Sequence, residues 1–173
     1  MRKELYNKLK DSLSRILTNG EEFIILLNQS EDDPNTGESA HPVKEMDKDW
    51  KPAIRHIDLW NHNVEFIDQE TPWERPAVFI EFEPIHWVSI VPGLQYRSEG
   101  RVKLHIVTDW TDDVSGIKML DLPEAIQAAL YGLEGDSFTD LTLAESHTNH
   151  NHEDIVENIE VYSFVTFRNI NQI

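Results

Sequence analysis

The chain has 173 residues, 39% of them hydrophobic, and its five Trp, seven Phe and four Tyr supply enough bulk for a core without covalent staples. It contains no cysteine, which excludes disulfides, thiolate metal sites and cysteine nucleophiles. Its 32 acidic against 15 basic residues give a formal net charge of −17, which argues against tight binding to nucleic-acid phosphates or anionic lipid.

The first stretch, "MRKELYNKLKDSLSRIL", predicts an amphipathic helix. Leu5, Leu9, Leu13, Ile16 and Leu17 follow helical spacing, charged residues fill the rest of the wheel, and Asn19-Gly20 reads as a stop. The stretch has no apolar h-region, so it does not read as a secretory signal. "FIILL", residues 23–27, is too short to span a membrane and fits a short helix or a strand equally. Residues 28–53 read as a long polar loop or insertion, rich in turn formers and charge. Within it, a calcium loop begun at Asp33 fails: Glu38 stands where glycine is needed and Lys44 where glutamate is needed.

From Ile54 the pattern is that of strands. "IRHIDLW" alternates through Ile57 and Leu59, "NHN" (61–63) makes a turn, and "VEFI" alternates again through Val64 and Phe66. "TPWERP" enters a near-continuous apolar strand, "AVFIEFE", which Pro84 ends. "IHWVSIVPGLQYRSEG" begins with a short strand and then loops. "RVKLHIVTDW" places Val102, Leu104 and Ile106 on one face, with Lys103 and His105 on the other. Asp121, Pro123 and Glu124 form a capping box that opens a second helix, with Leu122, Ile126, Ala129, Leu130 and Leu133 as its stripe and Gly132 and Gly135 as stops. "SFTDLTLAE" and "IVENIEVYSFVTF" are two further strands. The order predicts a single α+β domain over residues 1–173: a mostly antiparallel sheet with the N-terminal helix and the second helix packed on one face.

Three histidines stand close together in "ESHTNHNHED". His147, His150 and His152 are candidate metal ligands, with Glu145, Glu153 or Asp154 able to complete a site. The interleaved Asn149 and Asn151 favour a polar turn instead. "HEDIV" opens like H-E-x-x-H, but Val156 stands where the second histidine must be. No Walker, Rossmann or G-x-S-x-G pattern occurs, and acidic pairs carry little information in so acidic a chain. Trp73, Trp87 and Tyr96 lie near turns, where aromatics anchor interfaces or plug core edges. Arg97 and Arg101 flank a glycine and are candidates for pairing with acids of a neighbouring copy.

The order of elements also resembles a known family. A helix over 1–17 leads to "RPAVFIEFE", then "RVKLHIVTDW", "LPEAIQAALYGL" and "EDIVENIEVYSFVTFR", within residues 54–168. This layout resembles the tail terminator and tail-completion (neck) proteins of long-tailed bacteriophages and prophages. The resemblance implies a structural protein of virion assembly, without catalytic residues or cofactor. It would form a homo-oligomeric ring, typically hexameric, that terminates the tail tube and joins it to the neck. Its partners would be copies of itself, tail-tube and neck proteins, with DNA only passing through. Its place would be the bacterial cytoplasm during assembly and then the virion tail. Trp73, Trp87, Tyr96, Arg97, Arg101 and Arg168 are the interface candidates. The polar stretch at 28–53 departs from the compact family pattern. Two other readings stand beside this one: a metal-binding protein or metal-dependent enzyme using His147, His150 and His152, and an acidic inhibitor that mimics DNA.

Overall fold

Leu5, Leu9 and Leu13 recur at four-residue spacing and are fully buried, which fixes the inner face of helix α1 (Arg2–Ser14). The computed structural model describes residues 1–20, 22–26, 50–61, 73–110, 117–149 and 155–170. The helix ends before the predicted stripe does. Ile16–Thr18 is a strand, β1, paired antiparallel with β2 (Phe23–Ile25). Asn19-Gly20 is therefore a hairpin turn and not a helix stop. Gly20 has φ +102°, and the Asn19 side chain accepts the Glu22 N–H at 2.9 Å. Ile16 stays in the same core after the chain leaves the helix, so hydrophobic spacing alone did not separate the two conformations. The segment "FIILL" supplies a strand. Strand β3 (Lys51–Pro52) pairs with the other edge of β1, and Ala53 and Ile54 are buried behind it. The predicted polar loop thus runs three residues too far at its C-terminal end. Residues 28–49 lie outside the described residues.

The main sheet contains β4 (His56–Leu59), β5 (Ala77–Phe82), β6 (Val88–Val91), β7 (Gln95–Asp109), β8 (Phe138–Asn149) and β9 (Ile155–Asn169). Its order is β4-β5-β7-β9-β8, with β6 paired to β7 beyond the reach of β5. Only the β4–β5 pairing is parallel among these described pairs. The architecture is α+β, as the element order predicts. The "VEFI" strand expected at 64–67 lies outside the described residues. Leu59, expected inside, is exposed.

Strand β7 starts six residues before the predicted one. The stretch read as loop is a β6–β7 hairpin whose turn holds Gly93 at φ +72°. Helix α2 (Ile117–Leu130) also starts earlier than the capping box suggests, so Asp121 and Pro123 sit inside it. Proline lacks the N–H for one i→i−4 bond, but Leu122, Ile126 and Leu130 remain one continuous buried stripe. Gly132, at φ +73°, follows the last helical turn as expected.

The helices and the small sheet cover one face of the main sheet. There Val78, Ile80, Val102, Leu104, Ile106, Tyr162 and Phe164 meet the leucines of α1 and α2. Glu4 ties α1 to the turn before β8: its carboxylate accepts the backbone N–H groups of Asp136 (2.6 Å) and Ser137 (3.1 Å) and the Ser137 hydroxyl. Burial pushes the Glu4 carboxyl up, but these hydrogen bonds and the Lys8 charge outweigh it and hold it below its ordinary value. Among the described residues no helix is long and apolar enough to cross a membrane.

Candidate functional site: a projecting arm and a polar sheet face

The face of the sheet away from the helices is built in bands. The first is apolar: Ala77, Phe79, Val107 and Ile155 form a second buried cluster with Trp60 and Trp73 against it. Trp73 meets Phe79 edge-on at 5.2 Å between ring centroids, and the Arg75 guanidinium lies 5.9 Å from the Trp73 ring. Trp73 is thus half-buried and packs on this intramolecular cluster.

The second band is polar and buried. Alternation along β7 puts His105 on this face, where only 4% of it is exposed. Its Nδ1 lies 2.5 Å from Glu157 Oε1 and its Nε2 lies 2.7 Å from Glu81 Oε2. Glu157 is 3% exposed and also accepts the Asn149 side-chain amide at 2.9 Å. Trp60 stacks flat on the imidazole, 3.9 Å between centroids and 2° between planes. The row Glu81, His105, Glu157, Asn149 crosses four neighbouring strands on a diagonal. Each imidazole–carboxylate hydrogen bond needs one proton, so the three ionisable groups together hold two protons and carry one net negative charge. Both ring nitrogens are occupied and Trp60 covers one ring face. The geometry offers a substrate neither a free lone pair nor a free N–H on this ring.

The third band is an exposed ion network. Arg101 reaches Glu145 at 2.5 Å and Glu83 at 3.8 Å, and Lys103 reaches Glu83 at 3.3 Å. The hydrogen bond from Arg101, then that from His147, hold the Glu145 carboxyl below its ordinary value. Arg101 is thus engaged with acids of its own chain, with 39% of its side chain exposed. His147 sits on strand β8, not in a turn, with Nε2 3.2 Å from Glu145. His150 and His152 lie outside the described residues. Among the described residues, no group of three or more His, Asp or Glu side chains is arranged to hold a metal ion.

The remaining candidates gather at one place. Beyond the last β5 pairing, β7 continues as an arm with β6 on one side and β9 on the other; β8 borders β9 as far as Thr166, opposite Ser98, and the tip beyond that is three-stranded. Tyr96 pairs across to Arg168 and Arg97 to Phe167, with the Arg97 guanidinium 5.9 Å from the Phe167 ring. Trp87, Tyr96, Arg168 and Ile170 line a recess of about 290 Å³. Val88 (64% exposed) pairs with Arg97 on the opposite face of the arm from Tyr96 and Arg168, and Ile90 (55%) and Leu94 (46%) are exposed along the hairpin.

The two described outer edges near this region differ. The edge strand β8 carries Glu145 and His147 and is interrupted by two register shifts and by Asp140 at φ +56°. Such irregularities and charges keep an edge from pairing with another chain. Strand β6 reads Val-Ser-Ile-Val, has no charged side chain and shows one register shift.

Sequence reading did not find the buried histidine. Its signal lay in β9, where Glu157 interrupts the same-face series Ile155, Ile159, Val161: an acid among buried apolar positions requires a partner. Comparison with models of known protein families gives no match, and comparison with curated proteins gives no similar sequence.

Proposed function

We propose that this chain is a structural subunit that assembles with copies of itself into a ring, of the kind that terminates a phage tail tube and joins it to the neck, without catalysis. The observation that carries the self-assembly is the arm. A two-layer domain of this size has no need of a hairpin that exposes Val88, Ile90 and Leu94 on and beside an edge strand without charged side chains. On a chain of net charge −17, Arg97 stands beside Val88 and Phe167 on one face of the arm, and Arg168 beside Trp87, Tyr96 and Ile170 on the other. That combination of aromatic, aliphatic and arginine side chains is typical of interface centres. The element order supports the tail reading through its resemblance to tail terminators. The acidity fits a ring that lets DNA slide through without holding it.

The test is sedimentation velocity with electron microscopy of the purified chain. The expected result is a closed ring that dissociates in the double variant Ile90→Asp/Leu94→Asp. A wild-type chain that stays monomeric at high concentration, alone and with polymerised tail tubes from the same phage or prophage, rejects the reading. Arrest of tube extension by added ring separates the tail role from self-assembly alone.

A further inference from the structure

A cleft of about 560 Å³ opens between the C-terminal half of α1 and the β3–β4 segment. Its walls carry Lys10, Lys51 and Arg55, and its lining includes Ile54 and Ile57. Arg55 pairs with Glu74 at 3.2 Å, both at the exposed rim. Lys10 and Lys51 have no carboxylate within ion-pair distance among the described residues, in a chain where acids outnumber bases by more than two to one. Lys10 lies 5.8 Å from the Tyr6 ring centroid, a contact that leaves its ammonium free to meet an anion. Among the described lining residues, Lys10, Lys51 and Arg55 against Glu74, the cleft is therefore net positive on a strongly negative molecule.

We infer that this cleft receives a carboxylate-bearing segment of a second copy of the chain, an inference that rests on the self-assembly proposed above. Protomers of charge −17 repel one another, and a contact between them requires cations where the acids of one meet the surface of the next. The arm is not the occupant, because Arg97 and Arg168 would face Lys10 and Lys51. A compact phosphate suits the cleft less well. The helix contributes its C-terminal half, the negative end of its dipole, and the two lysines come from different elements, α1 and β3, in a cleft that Ile54 and Ile57 also line. Carboxylates spaced along a peptide, with apolar residues among them, match that arrangement. The arm and the cleft are separate surfaces joined by α1: Met1 and Arg2 line a recess with Trp87 and Arg168, and Lys10 and Ser14 line the cleft. At about 1.5 Å per residue the two are roughly 12–18 Å apart along the helix. Two dissimilar contact surfaces on one protomer are what a head-to-tail ring needs.

The experiment compares wild type, Lys10→Glu/Lys51→Glu, Lys10→Gln/Lys51→Gln and the arm variant by sedimentation velocity at about 50 and 500 mM salt, spanning strong and weak screening. Fluorescein-labelled hexaglutamate is titrated into the arm variant with and without the charge reversal, with inorganic phosphate as competitor. Melting temperatures check that each variant is folded. The expected result is association weakened on the order of tenfold or more by charge reversal, less by neutralisation, and weakened by salt. Hexaglutamate binds the arm variant and fails to bind once the lysines are reversed. Charge-reversed chains that assemble like wild type overturn the cleft while leaving the arm intact. An arm variant that still assembles, beside a charge reversal that does not, does the opposite. Binding of phosphate without hexaglutamate makes this a small-anion site, and a monomeric wild type removes the second copy as occupant.

Discussion

The two halves of β7 belong to one strand and live in different environments. From Val102 to Thr108 every residue but Lys103 is buried, because helices cover one face and Trp60, Trp73 and the Glu81–His105–Glu157 row cover the other. From Gln95 to Glu99 the same strand is exposed or half-buried and has only β6 and β9 beside it. Gly100 marks the junction, where the Phe164 ring lies over its backbone. The root is needed to fold the domain. The arm adds backbone pairing but little core, so its apolar side chains are best explained by something outside the protomer.

Substitutions at each level separate the two halves. His105→Ala should cost the most, about 3–5 kcal/mol in a denaturant titration, since it leaves Glu157 buried beside Glu81 without a cation. Converting all three to apolar residues of similar volume should recover most of that loss, and failure to recover would mean that packing with Trp60 dominates. Gly100→Val comes next. Its Cβ would collide with the Phe164 ring, and the overpacking costs about 1–3 kcal/mol while the arm surface itself is unchanged.

Glu4→Gln should cost about 1 kcal/mol, low in the range for charge-assisted hydrogen bonds because the site is partly solvated. Its folded-state carboxyl is depressed. The stabilisation is therefore present above the ordinary value of 4.5 and fades as pH falls through the lower folded value. The gap between wild type and Glu4→Gln should close in acid, and a gap independent of pH would assign it to packing. Tyr162→Phe should raise stability by about 1 kcal/mol or less. The hydroxyl is buried without a hydrogen-bond partner among the described residues, and burial, then the Glu160 charge, push the phenol well above its ordinary value. Smallest of all is Ile90→Asp in the arm. Monomer stability should shift by no more than about 0.5 kcal/mol, while self-association is lost. A large drop in monomer stability would show the arm to be part of the core after all.

Much of this fold was readable from residue spacing. The α1 leucines, the apolar strand after Pro76 and the alternation of β7 and β9 all landed on the elements expected. What escaped were features that look the same from local pattern. Ile16 is buried whether the chain continues as helix or turns into β1. Pro123 looks like a helix start, yet one missing N–H is tolerated inside α2. His105 reads as the polar side of an alternating strand until the aromatic layer above it is known. The arm was harder still. Trp87, Tyr96, Arg97 and Arg168 were identifiable as residue types suited to contact, but residues 88–91 are all exposed and the inner face of 95–99 is only half-buried and carries Tyr96 and Ser98, so these strands left little hydrophobic period. Only the pairing of β6, β7 and β9 brings Trp87, Tyr96 and Arg168 to one recess and leaves Arg97 on the other face.

The register between β7 and β9 has a mechanical consequence. Fifteen consecutive residues face fifteen, from Gln95 opposite Asn169 to Asp109 opposite Ile155, without a bulge. A load applied at the tip along the strand axis must shear many of these rungs at once. A load across the axis peels them one at a time, starting at the exposed end. The protein is therefore stiff to pulling along the arm and weak to prying at its tip, and force spectroscopy in the two directions would give very different rupture forces.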